Sequence, residues 1–183
     1  MGTRELGCPF FAFGAAAFGA VPPGVAPMRV TAKVDYAIRA LVELAAAGTD
    51  RPMKGEAIAV AQQIPMKYCE NILAELRVAG VVASRRGADG GYWLARPAAE
   101  VPLAEVIRIV EGPLAEVRGV QPHDVVFEGV AAPMREVWVA VRASLRRVLD
   151  VVTIADVATA ALPAVVHELL SDPEAWDNRT QVE

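Results

Sequence analysis

The sequence is poor in cysteine: Cys8 and Cys69 are the only two among 183 residues. Two thiols cannot form a disulfide framework, and no CxxC pair is present. A reducing cytoplasmic compartment is the default for such a chain. The groupings that carry enzyme chemistry are missing as well. There is no nucleophile–base pair, no phosphate loop and no pair of carboxylates with a catalytic rationale. "GADGG" at 87–91 is too short and wrongly flanked for a nucleotide loop. No enzyme is expected. Formal charge is absent from 6 to 28, yet Gly, Ala and Pro make "PFFAFGAAAFGAVPPGVAP" a poor membrane span. Arg4 beside Glu5 is a weak flank for a signal peptide. Residues 1–27 are expected to be a disordered leader or a mis-assigned start, with the working protein beginning at Met28 and no membrane partner. Internal repeats are absent.

Apolar residues make up 54% of the chain, enough for a sizeable core in one domain with appendages or in two small ones. The net charge of −4 conceals an asymmetry. Residues 28–97 carry ten cations against seven anions, whereas 98–183 carry seven against fourteen. A basic half followed by an acidic one points to a polyanion partner for the first half only.

Hydrophobic spacing divides the chain into elements. Val34, Ala37, Ile38, Leu41 and Leu44 recur at helical intervals from Thr31, a cap, to Ala47. A short helix fits Lys54 to Ala61, with Ala57, Ile58 and Ala61 inward. A third runs from Pro65 to about Ala79. Tyr68, Cys69, Ile72, Leu73, Leu76 and Ala79 lie on one of its faces, and Met66, Lys67, Glu70, Asn71 and Ala74 on the other. Strands at 81–84 and 92–95 flank the 87–91 turn. Three helices and a hairpin make a winged helix-turn-helix, and the hairpin concentrates Arg85, Arg86 and Arg96. One of Tyr92 and Trp93 should pack inward and the other face out.

A fourth helix follows at Pro102–Glu111, then a loop at 113–131. From Ala132 to Val152 the apolar positions Met134, Trp138, Val141, Leu145, Val148 and Val152 are spaced 4, 3, 4, 3 and 4. That 3.5-residue average marks a seam between helices, suited to a dimerisation helix. Thr153 and Asp156 have capping-box spacing. Residues 163–183 read as a ragged tail. The expected fold is mainly α with a small β-hairpin wing: a winged helix-turn-helix at 28–97, a sensing loop and dimerisation helices at 98–162, and the tail.

"MRVTAKVDYAIRAL", "QQIPMKYCENILAELRVAGVVASRRGADGGYWLARP" and "VPLAEVIRIVEG" together resemble the IscR/NsrR/CymR group of bacterial transcription regulators, the Rrf-two family, over about 28–160. The resemblance implies a homodimer that binds a near-palindromic double-stranded DNA operator, with an input at the loop changing the affinity. Base reading then falls to Lys67, Glu70 and Asn71. Asn can bond adenine bidentately, Lys can reach guanine or phosphate, and Glu can accept from cytosine. The position matching Arg86 belongs to the family's wing and is expected at the minor groove, where narrow grooves attract arginine. Arg29, Thr31, Lys33, Arg85, Gly87 and Arg96 are expected at the backbone.

The loop departs from the family pattern. Cluster-binding members carry three cysteines there, and "AEVRGVQPHDVVFEGVAAP" has none. An iron–sulfur cluster is not expected, and the input is expected to be a small molecule or protein effector. The weaker alternatives are a non-thiolate metal or cluster site using Asp35, which matches a carboxylate ligand of some members, with His123, Asp124 and Glu128, or a winged-helix module that binds protein. Cys69, on a buried face without a neighbouring cation, is expected to be inert.

Overall fold

Apolar residues at 34, 37, 41 and 44 build α1 (Ala32–Ala47), whose N-terminus is capped by Thr31: its Oγ1 accepts from the Val34 N–H at 3.3 Å. The protein is described by a computed structural model at residues 30–49 and 51–176, so the expected leader and Arg29 lie outside the described residues. Val34, Ala37, Ala40, Leu41 and Leu44 are buried against α2 (Gly55–Ala61) and α3 (Met66–Val78).

In α2 the buried pair is Ile58 and Ala59, which corrects the expected face: Ala57 and Ala61 are exposed. A helix of two turns takes its face from what it packs on, and periodicity over so few residues decides little. In α3, Cys69, Ile72, Leu73 and Leu76 are buried at i, i+3, i+4 and i+7. Tyr68 is a second correction. It is 55% exposed and stands edge-on to Tyr36, centroids 6.2 Å apart. Tyr68 lies about 90° around α3 from the centre of the Cys69–Ile72–Leu73–Leu76 face, at the edge of the core rather than inside it. Gly80, at φ +77°, closes α3 with Val81 N–H donating to the Leu76 carbonyl at 3.0 Å.

Strands β1 (Val82–Arg85) and β2 (Gly91–Leu94) pair antiparallel from Val82↔Leu94 to Arg85↔Gly91. Met53 extends the hairpin on its other side: its N–H donates to the Tyr92 carbonyl at 2.9 Å, and Tyr92 N–H donates back at 2.7 Å. Tyr92 packs against the core, whereas Trp93, half-buried, lies outside that cluster.

A 3-10 turn (Ala98–Glu100) leads to α4 (Leu103–Glu111), where Ala104, Val106 and Val110 are buried. The long helix α5 spans Met134–Leu149, shorter than the expected 132–152. Val152 leaves it: its carbonyl accepts from Leu103 N–H at 2.9 Å, and Ile154 N–H donates to the Val101 carbonyl at 2.9 Å. This pairing returns the chain to the first core, where α6 (Ile154–Ala158) packs on α1 and Ile154 is fully buried. The Thr153–Asp156 capping box is formed in both directions, at 2.7 and 3.2 Å. The expected ragged tail holds α7 (Ala164–Leu170), which packs on α5, and a 3-10 turn at Pro173–Trp176. One hydrophobic cluster thus joins α1, α2, α3, the hairpin, α4 and the start of α6.

Candidate nucleic-acid interface

Burial of Cys69, Ile72, Leu73 and Leu76 turns the opposite face of α3 to solvent, and Lys67, Glu70 and Asn71 are exposed there. Among the described residues the side chains of Lys67 and Asn71 have no hydrogen-bond or ion-pair partner. A cation and an amide side by side in the first two turns of an open helix match what a base edge requires.

The wing carries the second group. Arg85 and Arg86 are exposed. Arg85 Nη2 donates to the Asp89 carbonyl at 3.1 Å across the turn, and Arg86 is free among the described residues. Gly87 adopts φ +108°, a conformation side chains disfavour. A Cβ on Gly90 would stand 2.2 Å from the Arg85 carbonyl oxygen, so the tip closes only with glycine there.

Lys54, at the start of α2, is a functional candidate that the local sequence does not reveal. Its Nζ donates to the carbonyls of Gly87 at 2.8 Å and Ala88 at 2.7 Å, 33 and 34 residues away. It ties the wing tip to the helical body. Lys54→Ala is expected to change stability by less than ~1 kcal/mol, since the contact is exposed. It should weaken specific DNA binding about three- to tenfold by freeing the wing, as urea titration and fluorescence anisotropy together would show. Unchanged affinity would mean that the clamp does not position the arginines.

Other expected backbone contacts have partners within the chain. Lys33 Nζ donates to the Val110 carbonyl at 2.9 Å and pairs with Glu75 at 2.8 Å, joining α1, α3 and α4. Thr31 caps α1 and donates to Glu111. Arg96 pairs with Glu105 and donates to the Glu100 carbonyl at 2.8 Å, stapling the 3-10 turn to α4. The hydrogen bond to Glu105 pushes the Arg96 guanidinium pKa still higher. In the isolated chain the carboxylates of Glu75, Glu111 and Glu105 thus engage Lys33, Thr31 and Arg96.

Between α2 and α3 the turn is held by Arg39. Its Nη1 donates to the Gln62 carbonyl at 2.6 Å, its Nη2 pairs with Asp35 at 2.9 Å, and the guanidinium lies 5.1 Å from the Tyr36 ring centroid. Gln62 donates in turn to Glu43 at 2.6 Å. Asp35 pairs with Arg39 one turn further along α1.

The 113–131 segment is anchored by buried Pro122 and Val125 and by Arg142 of α5, whose Nη1 donates to Gln121 Oε1 at 3.1 Å and meets His123 Nδ1 at 3.0 Å. A guanidinium only donates, so His123 Nδ1 is the acceptor in this contact. His123 Nε2 lies 3.4 Å from Asp124. On α5 no residue is buried within the single chain. Met134 is 37% exposed, and Trp138, Val141, Leu145 and Val148 are half-buried.

Three comparisons bear on this geometry. The Rrf2 family model, described as an iron-dependent transcriptional regulator, matches residues 30–160. A Mycobacterium tuberculosis protein named as an HTH-type transcriptional regulator is 44% identical over 151 residues, which cover 82% of this chain and 94% of the relative. Among solved structures, CymR, the global cysteine regulator of B. subtilis, superimposes with a TM-score of 0.62 at 31% identity, covering 72% of this chain and 97% of CymR. IscR of T. potens gives 0.60 at 33%, covering 74% and 90%.

Iron requires donors at close quarters, and the residues present do not fit it. The 113–131 segment contains no cysteine. Cys8 is outside the described residues, and Cys69 is fully buried in the core, where burial first and the Glu70 carboxylate second push its thiol pKa up. No three His, Cys, Asp or Glu side chains are grouped to hold a metal among the described residues. Helix, wing and sequence agree on the family all the same: the chain belongs to the Rrf2 family of DNA-binding, HTH-type transcriptional regulators.

Proposed function

We propose that the protein is a homodimeric regulator that reads a near-palindromic operator and takes its input without an iron–sulfur cluster. The observation that carries this reading is the shared exposure of Lys67, Glu70 and Asn71 on α3 and Arg85, Arg86 and Gly87 on the wing. The helix supplies base contacts in the major groove, and the wing arginines follow the adjacent minor groove. The half-buried apolar stripe of α5 supplies the surface for a second copy, and two-fold symmetry in the protein selects two-fold symmetry in the DNA. Binding by occupancy makes it a repressor where the operator overlaps a promoter. No described helix is long and apolar enough to cross a membrane.

The test is fluorescence anisotropy of the purified protein with duplex DNA from upstream of its own gene, beside a scrambled duplex, at several salt concentrations. Specific binding should exceed the scrambled control by at least ~10³-fold with a steep salt slope. Equal, weak binding to both duplexes would count against operator recognition. Arg86→Ala should weaken specific binding and reduce the magnitude of the salt slope by about one, the contribution of a single phosphate neutralisation. An unchanged slope removes Arg86 from the contact set.

A further inference from the structure

Residues 98–183 hold only seven cations against fourteen anions, yet three of the seven line one cavity. Arg108 near the end of α4, with Arg142 and Arg146 of α5, surrounds about 360 Å³ together with Leu114 and Gln121. That volume lies at the lower end of small-ligand sites. The cavity sits where α4 passes into the 113–131 segment.

Ordinary surface arginines account poorly for this arrangement. Arg142 and Arg146 are one helical turn apart, a spacing at which like charges repel. The carboxylate beside them, Asp150, is engaged with Arg108 at 2.7 Å. Arg146 has no side-chain partner among the described residues. Arg142 bonds Gln121 and His123 through Nη1 alone, so its Nη2 and Nε remain available for a bidentate oxyanion. On the helical wheel Arg142 lies about 70° and Arg146 about 110° around α5 from the centre of the Trp138–Val141–Leu145 stripe. Arg146 therefore points away from a second copy seated on that stripe.

We propose that this cavity is an effector site for a small oxyanion carrying phosphoryl or carboxylate groups. Arg142 and Arg146 bind it, and Gln121 completes the site. The input rests on the regulator reading above, and the cavity's position supplies a route to the DNA face. An anion on Nη2 and Nε of Arg142 fixes the guanidinium whose Nη1 bonds Gln121 and His123, and so acts on the 113–131 segment. One that draws on Arg108 acts on α4, whose Val110 and Glu111 hold Lys33 and Thr31; Lys33 in turn pairs with Glu75 of α3.

The experiment is isothermal titration calorimetry of the full chain with inorganic phosphate and, separately, with succinate, at constant ionic strength set with chloride. Saturable binding is expected in at least one arm, and the tighter arm assigns the headgroup. Arg146→Gln should weaken it about tenfold or more, as loss of a charged hydrogen bond does. Arg147→Gln removes the same charge from the next residue, which pairs with Glu168 outside the cavity, and should change nothing. No saturable binding in either arm, or equal weakening in both variants, overturns the site. Anisotropy with the operator duplex, with and without the anion, then tests its role. A shift in operator affinity in wild type that is absent in Arg146→Gln supports it, and binding with no shift overturns the effector role. Calorimetry needs no DNA, so failure of operator recognition and failure of the anion site are read separately.

Discussion

Leu145→Asp is expected to convert the protein to a monomer in sedimentation and to weaken specific operator binding by at least ~10³-fold. The seam positions Met134, Trp138, Val141, Leu145 and Val148 form a stripe along α5, and none is buried in the isolated chain. Val137 is 48% exposed beside them, and Val126 and Val130 of the preceding segment are 77% and 104% exposed. So much unburied apolar surface along one helix and its approach indicates a partner surface. An aspartate at the centre of a two-fold interface is buried in both copies, and each unpaired carboxylate costs several kcal/mol to dehydrate. A monomer holds only one recognition helix, so the second half-site contributes nothing. Ala143→Asp is the control: position 143 is exposed on the opposite side of α5, and this variant should remain dimeric and bind normally. A dimeric Leu145→Asp protein would place the interface elsewhere.

The parts of this fold that were legible in the sequence are those whose causes are local. Thr31 caps α1, the i, i+3, i+4, i+7 run fixes the buried face of α3, and the glycines around Asp89 close the wing. Each depends on neighbours within a turn or two. The misreadings share the opposite property. Val152 continues the seam spacing of α5 by coincidence, but its burial comes from a backbone pairing with Leu103 across 49 positions of sequence. Lys33 and Arg96 pair with Glu75 and Glu105, contacts that no local spacing announces. Tyr68 lies at the edge of the apolar side of its helix, and its neighbour there is the Tyr36 ring of α1, which no spacing within α3 reveals. The exposed polar residues of α3 were visible because an exposed face is the complement of a buried one. Lys54 was not, since nothing near position 54 indicates that its ammonium reaches the wing. Nor was the arginine cavity, which requires α4 and α5 to converge.

Gly91→Ala is expected to lower stability by about 2–4 kcal/mol and the melting temperature by roughly 5–15 °C. The cause is steric rather than conformational, because Gly91 is not among the positive-φ glycines. A Cβ there would stand 2.5 Å from the Met53 carbonyl oxygen, 2.7 Å from its carbon and 3.0 Å from its nitrogen. All three atoms are backbone, and Met53 is fixed by its two hydrogen bonds with Tyr92. Relief requires the Met53 segment and the hairpin to separate, which loses bonds worth about 1 kcal/mol each and uncovers Tyr92. Gly91 also pairs with Arg85, so the same displacement moves the wing arginines, and the fraction that remains folded should bind the operator at least ~10-fold more weakly. Gly87→Ala separates this effect from generic loss of a glycine. Its φ is +108° with open space around the added methyl, so it should cost only about 1–2 kcal/mol of backbone strain. Thermal melts and anisotropy on the two variants decide the matter. If Gly91→Ala melts within a degree or two of the parent and binds equally well, the Met53 contact is not what holds the wing in register.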